Sequence, residues 1–174
     1  QVPLREARLV GQPVLTVAGK GKTVRLDSRE KVLIGPSAQD AQQRVEAPLV
    51  FVGFGIDRPD LGVDDYRQLD VKGKIVVVLS GYPKGMNSEV GAHLNAEKAR
   101  MAMKRGAIGI ITVPTLQDTG RRPWARRMEM SGEPRSNWLQ ADGTPFLRAP
   151  AIRADAALNP DAAAEIFGTG KQSL

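Results

Sequence analysis

Three short apolar runs, Leu49–Phe54, Ile75–Leu79 and Ile108–Val113, limit what this chain can fold into more than anything else in it. The first two are five or six residues long and rich in Val, Ile and Phe, which reads as strands buried on both faces. Between the second and third runs lies a segment of helical pattern. Strand, helix and strand in that order favour a parallel pair joined by a right-handed crossover.

The flanking residues agree. Asp70-Val71-Lys72-Gly73 reads as a type I turn ahead of the second run, with Asp in its first position and Gly in its fourth. In the helical segment Ala92, Ala96, Ala99 and Met103 recur at spacings of four, three and four, which predicts one shared face. Small alanines there would let the helix lie close to a sheet. Lys104 and Arg105 in the last turn suit the negative end of the helix dipole, and Gly106 suits a stop.

With 41% hydrophobic residues over 174 positions, the composition is that of one ordinary domain with a real core, not of a disordered chain. The apolar runs are far too short to span a bilayer. There is no cysteine, which removes disulfide and thiolate chemistry and leaves the compartment open. The net charge of +6 is spread along the chain, and aromatic residues make up only 5% of it. A nucleic-acid surface takes clustered Lys and Arg with stacking aromatics, so the basic excess reads as a solvated face and no nucleic-acid partner is expected. The chain opens at Gln1 without an initiator Met or a signal-like start, and is expected to be a piece excised from a longer protein.

Residues 1–12 read as a connector. Val14–Val17 and Thr23–Leu26 predict a hairpin across Ala18-Gly19-Lys20-Gly21-Lys22. Lys31–Ile34 predicts a further short strand before the Gly35-Pro36 break. Gly19-Lys20-Gly21-Lys22-Thr23 is not a phosphate loop, because Thr16 stands where the first glycine belongs and no helix follows. Gly53-Phe54-Gly55 is not a dinucleotide fingerprint, because Arg58 replaces the third glycine; the glycines read as a bulge or a close backbone approach. Asp57, Asp60, Asp64 and Asp65 lack calcium-loop spacing, and Asp64 or Asp65 reads as a local cap, with Tyr66 packed under the loop. His93 is the only histidine. A catalytic zinc site generally takes three protein ligands, usually including His; with one histidine, no cysteine, no His-x-Asp and no Gly-x-Ser-x-Gly elbow, no catalytic or metal residue is assigned.

Residues 114–148 read as a long variable loop, rich in Pro, Gly, Arg and Met and holding both tryptophans. Arg121, Arg122, Trp124, Arg126, Arg127 and Trp138 are the candidate residues for substrate or interdomain contact, since Trp and Arg are favoured interface anchors. The alternative, that Trp124 and Trp138 cap the domain's own core, stays open. After this segment Ala151–Arg153 predicts a short strand. Asn159-Pro160-Asp161 opens a helix through Ala163, Ile166 and Phe167 that stops at Gly168.

The segments VFVGFGI, DDYRQLDVKGKIVVVL and HLNAEKARMAMKRGAIGIITV, in that order, closely resemble the protease-associated (PA) domain, densely over residues 46–113. The version most resembled is the one inserted in secreted zinc aminopeptidases of the aminopeptidase Y, glutamate carboxypeptidase and transferrin receptor family. The resemblance implies a mixed α/β (α+β) fold, a β-rich open barrel or sandwich with flanking helices, filling residues 1–174 as one domain. It implies a non-catalytic module acting as a lid or substrate-access and interaction element over the cleft of a parent exopeptidase. The expected partners are that catalytic domain and its peptide substrate. Zinc is expected in the parent catalytic domain, no cofactor in this chain, and a periplasmic, secreted or cell-surface location. The rival expectation is a stand-alone protein- or ligand-binding module without a peptidase.

Overall fold

A computed structural model of the chain describes residues 2–19 and 21–168. In chain order the first strands are β1 (Leu4–Ala7), β2 (Leu15–Gly19), β3 (Lys22–Leu26), β4 (Val32–Ile34) and β5 (Leu49–Phe51). Two very short strands, β6 (Asp57–Arg58) and β7 (Val63–Asp64), follow, and then β8 (Ile75–Leu79). Helices α1 (Ser88–Ala96) and α2 (Lys98–Lys104) lead to β9 (Gly109–Val113). Next come α3 (Leu116–Arg121), α4 (Trp124–Ser131) and β10 (Arg135–Trp138); β11 (Ala154–Leu158) and α5 (Pro160–Phe167) complete the described chain.

The centre is an open five-stranded sheet in the order β4-β11-β9-β8-β5. β5, β8, β9 and β11 run parallel, with Val76 opposite Ile110 and Ile111 opposite Ala156; β4 closes one edge antiparallel. The Ile75–Leu79 run is β8 to the residue. Alternate side chains enter two cores, as a period of two requires. Ile75, Val77, Ile111 and Val113 meet Val24 and Leu26 of β3 and Ala162 and Ala163 of α5. Val76, Val78 and Ile110 meet Leu94, Met101 and Ala102 of α1 and α2, together with Val52, Ile56 and Tyr66. Both faces are thus covered, which is why β8 needs no polar residue. The architecture is mixed α/β with an open sheet, as expected, and no barrel closes among the described residues.

Five expectations need correction. First, the helical face toward the sheet is Gly91, Leu94, Lys98, Met101 and Ala102, while Ala92 and Ala96 are exposed. Second, the helix is interrupted at Glu97, whose φ and ψ of −96° and 1° separate α1 from α2. Third, the turn before β8 is displaced by one residue: Lys74 N–H donates to Val71 C=O at 3.0 Å, and Gly73 sits at φ 69°. Fourth, residues 1–12 are not merely a connector, since β1 pairs antiparallel with β10, Leu4 opposite Trp138. Fifth, the late strand is Ala154–Leu158, not Ala151–Arg153.

The β2–β3 hairpin forms as expected; Lys20 in its loop lies outside the described residues. The Asn159 cap also forms: its Oδ1 accepts from Ala162 N–H at 2.7 Å, and its Nδ2 donates to Glu30 C=O at 2.7 Å. Asn159→Ala removes both bonds. It is expected to lower the unfolding free energy by about 1–2 kcal/mol, and Asn159→Asp, which keeps the cap, by less. Urea unfolding midpoints of the three proteins check this; equal losses for Ala and Asp would assign the effect to the Glu30 bond alone.

Candidate functional site

The C-terminal ends of β8 and β9 open into a cavity of about 860 Å³. In parallel sheets this edge is the usual ligand crevice, since strands end there while the loops diverge. Its walls include Phe54, Leu79, Tyr82, Val113, Leu116 and Phe167. A second, more polar hollow of about 210 Å³ adjoins it, bordered by Asn95, Lys98, Arg122, Arg127 and Asp155. Ser80 and Asp118 line both.

The floor between them is the turn Leu79-Ser80-Gly81, and it is tied on every side. Leu79 N–H donates to Gly53 C=O at 2.8 Å, and Ser80 N–H to Val113 C=O at 2.8 Å. Ser80 Oγ accepts from Thr115 N–H at 3.0 Å, and Asn95 Oδ1 from Gly81 N–H at 3.0 Å. Lys98 reaches up from α2 and donates Nζ to the carbonyls of Leu79 (2.7 Å) and Gly81 (2.6 Å), lying 5.7 Å from the Phe54 ring centroid. The side chain is buried, and desolvation pushes its pKa down to about 8, against the upward pull of Asp65 and Asp118. Tyr82 is fixed by α1: a Cβ on Gly91 would stand 2.5 Å from its ring.

The segment expected as a long loop instead carries α3, α4 and β10. Thr115 caps α3 by accepting from Asp118 N–H at 3.3 Å, and this Thr-x-x-Asp pattern was the legible signal for a helix start. Of the candidate residues, Arg121 lines the larger cavity, and Arg122 and Arg127 line the smaller. Arg127 forms an ion pair with Asp118, both about one-fifth exposed, which locks α4 to α3. Arg126 is exposed on α4. Arg121, Arg122 and Arg126 have no ion-pair partner among the described residues. Trp124 is half-buried and donates its indole N–H to Arg29 C=O at 3.0 Å, so it fastens α4 to its own domain. Trp138 stands apart on the β1–β10 ribbon, stacked on Phe146 at 4.4 Å between centroids.

The sequence reading missed Phe54, Ser80, Tyr82 and Lys98. Lys98 had a signal, because it interrupts the apolar stripe Leu94–Met101 of its helix.

Three of the four aspartates considered for calcium, Asp57, Asp60 and Asp65, are used internally. Arg105 clamps Asp57 through two bonds of 2.7 and 2.6 Å, which holds the Asp57 carboxyl below its ordinary range; Asp60 pairs with Arg58; Asp65 Oδ2 accepts from Ile56 N–H at 2.9 Å. His93 is exposed on α1, and no group of three His, Cys, Asp or Glu is placed to hold a metal ion among the described residues. This donor set does not fit a zinc ion.

A family model described as the PA domain matches residues 45–145. No curated protein matches the chain. Among solved structures, a zinc aminopeptidase from Bacillus subtilis is similar at 21% identity and a TM-score of 0.34, over 66% of this chain and 23% of that one. An aminopeptidase from Aneurinibacillus sp. strain AM-1 is similar at 14% identity and a TM-score of 0.40, over 97% of this chain and 32% of that one. The matched part of the chain therefore covers less than a third of the length of either enzyme.

Proposed function

This chain belongs to the PA domain family, and from that premise we propose that it is the non-catalytic access and interaction module of a zinc-dependent exopeptidase of the aminopeptidase type. The observation that carries the reading is the family match over residues 45–145, which takes in β5, β8 and β9 of the central sheet and the α3–α4 segment. In this reading hydrolysis belongs to a catalytic domain elsewhere in the parent protein, which also holds the zinc. The module acts sterically: peptides with a free end pass it and folded proteins do not. The guanidinium groups of Arg121, Arg122 and Arg126, without ion-pair partners among the described residues, supply a cationic face for passing substrate or for the catalytic domain. An exported location follows from the same reading, since such peptidases meet their peptides outside the cell. No helix among the described residues is long and apolar enough to cross a membrane.

The test uses the parent peptidase with Arg121, Arg122 and Arg126 all replaced by glutamine. These side chains are exposed, so each lost contact is worth only about 0.2–1 kcal/mol and the combined effect is severalfold. Turnover of a short aminoacyl reporter should hold, while kcat/KM for a long acidic peptide falls severalfold. If the ratio between the two substrates is unchanged in a folded protein, the access reading fails. The rival, a stand-alone binding module, then becomes the better one.

A further inference from the structure

We propose that the cavity at the C-terminal ends of β8 and β9 is a binding site for the apolar C-terminal residues of a peptide, the free carboxylate held at the mouth by Lys84 and Arg121. The inference rests on the cavity and its rim, and stands whichever protein the domain is joined to.

The volume of about 860 Å³ falls in the range of ligand pockets, above what one side chain fills. The walls are aliphatic and aromatic, and two of them are left in water: Leu116 is 85% exposed and Phe167 43% exposed. A ligand that covers them gains the ordinary benefit of apolar burial. The floor is already ordered, tied by Lys98, Asn95 and Thr115, so binding costs little rearrangement there.

Charge selects the other half of the ligand. Lys84 and Arg121 line the cavity, and neither has an ion-pair partner among the described residues. Asp118 is the only acid among the lining residues, and it is already engaged by Arg127. A ligand anion therefore meets two free cations and no free carboxylate. The polar side chain of Gln117, exposed on the α3 wall, matches a peptide amide, which favours a peptide over a fatty acid of the same apolar size.

The test is titration of the 174-residue chain with N-acetyl-Ala-Leu-Phe as free acid, as C-terminal amide, and with octanoate, followed by calorimetry. The free acid should bind and saturate, and the amide should bind about tenfold more weakly, the equivalent of one charge-assisted contact. The double variant Lys84→Gln/Arg121→Gln should bind acid and amide alike. Ala164→Trp, which fills the cavity from the exposed side of α5, should abolish both, and Leu116→Glu on the opposite wall should weaken both. Equal binding of acid and amide by the unmodified chain overturns the proposal. So does binding of octanoate without the peptide, or no binding of the peptide acid at millimolar concentration.

Discussion

Gly55→Ala should destabilise the domain by about 2–5 kcal/mol, a large share of the stability of a domain this size. Two costs combine. Gly55 sits at φ 70°, where an L-residue is strained, and its added Cβ would stand 2.6 Å from Val78 Cγ1 in the fully buried core. The backbone cannot easily retreat, because Gly55 N–H is bonded to Val52 C=O at 2.9 Å and Gly53 C=O accepts from Leu79 N–H at 2.8 Å. Gly62→Ala isolates the first cost: its φ is 74° with nothing within 4 Å, so only about 1–2 kcal/mol is expected. Urea unfolding of both variants gives the difference. Adding Val78→Ala to Gly55→Ala should recover part of the loss relative to the sum of the single changes, since it removes the clashing methyl. Equal losses for Gly55→Ala and Gly62→Ala, with strict additivity toward Val78→Ala, would mean that strand β8 does not lie this close. The same variant should disturb the cavity, because the segment that fits Gly55 against Val78 also carries Phe54 into the wall.

What could be read in advance follows the range of the interactions involved. β8 was legible because burial on both faces leaves an unbroken run of Ile, Val and Leu, and the Asn159-Pro160 helix start because a cap is a contact between near neighbours. The β1–β10 ribbon was not legible. Its pairing of Leu4 with Trp138 joins segments far apart in sequence, and neither strand alternates cleanly between polar and apolar residues. The alanine face of the helix misled for another reason. Alanine is equally at home on either side, whereas Leu94 and Met101 fix the buried stripe, and Gly91 belongs to it only because Tyr82 presses there. Arg121, Arg122 and Arg127 were chosen as interface-anchor residue types clustered around Trp124, with no structural placement behind them. The two helices that bring them to the cavity edge were hidden by the Pro, Gly and Arg content of the segment, although the Thr115 cap with Asp118 marked the first of them.

Lys98 should make the stability of the domain rise between about pH 8 and about pH 10.5, the span between its pKa in the fold and its ordinary value. The sign follows from burial. Desolvation lowers the pKa, so in this window the unfolded chain holds a proton that the folded chain has released. Raising the pH therefore favours the fold, and the full contribution, about 3 kcal/mol, is reached only above the unfolded value. Below about pH 8 the ammonium is charged in both states and that contribution is absent. The neutral amine still has two N–H groups, enough for the Leu79 and Gly81 carbonyls at 2.7 and 2.6 Å, so the turn between the two cavities should survive deprotonation. The measurement is unfolding free energy across this window for the unmodified chain and for Lys98→Met. Every other ionisable group is common to the two proteins, so its effect cancels in the difference. That difference should grow with pH in favour of lysine. Parallel curves would mean that water reaches Nζ and that the ammonium is not held in an apolar setting beneath the cavity floor.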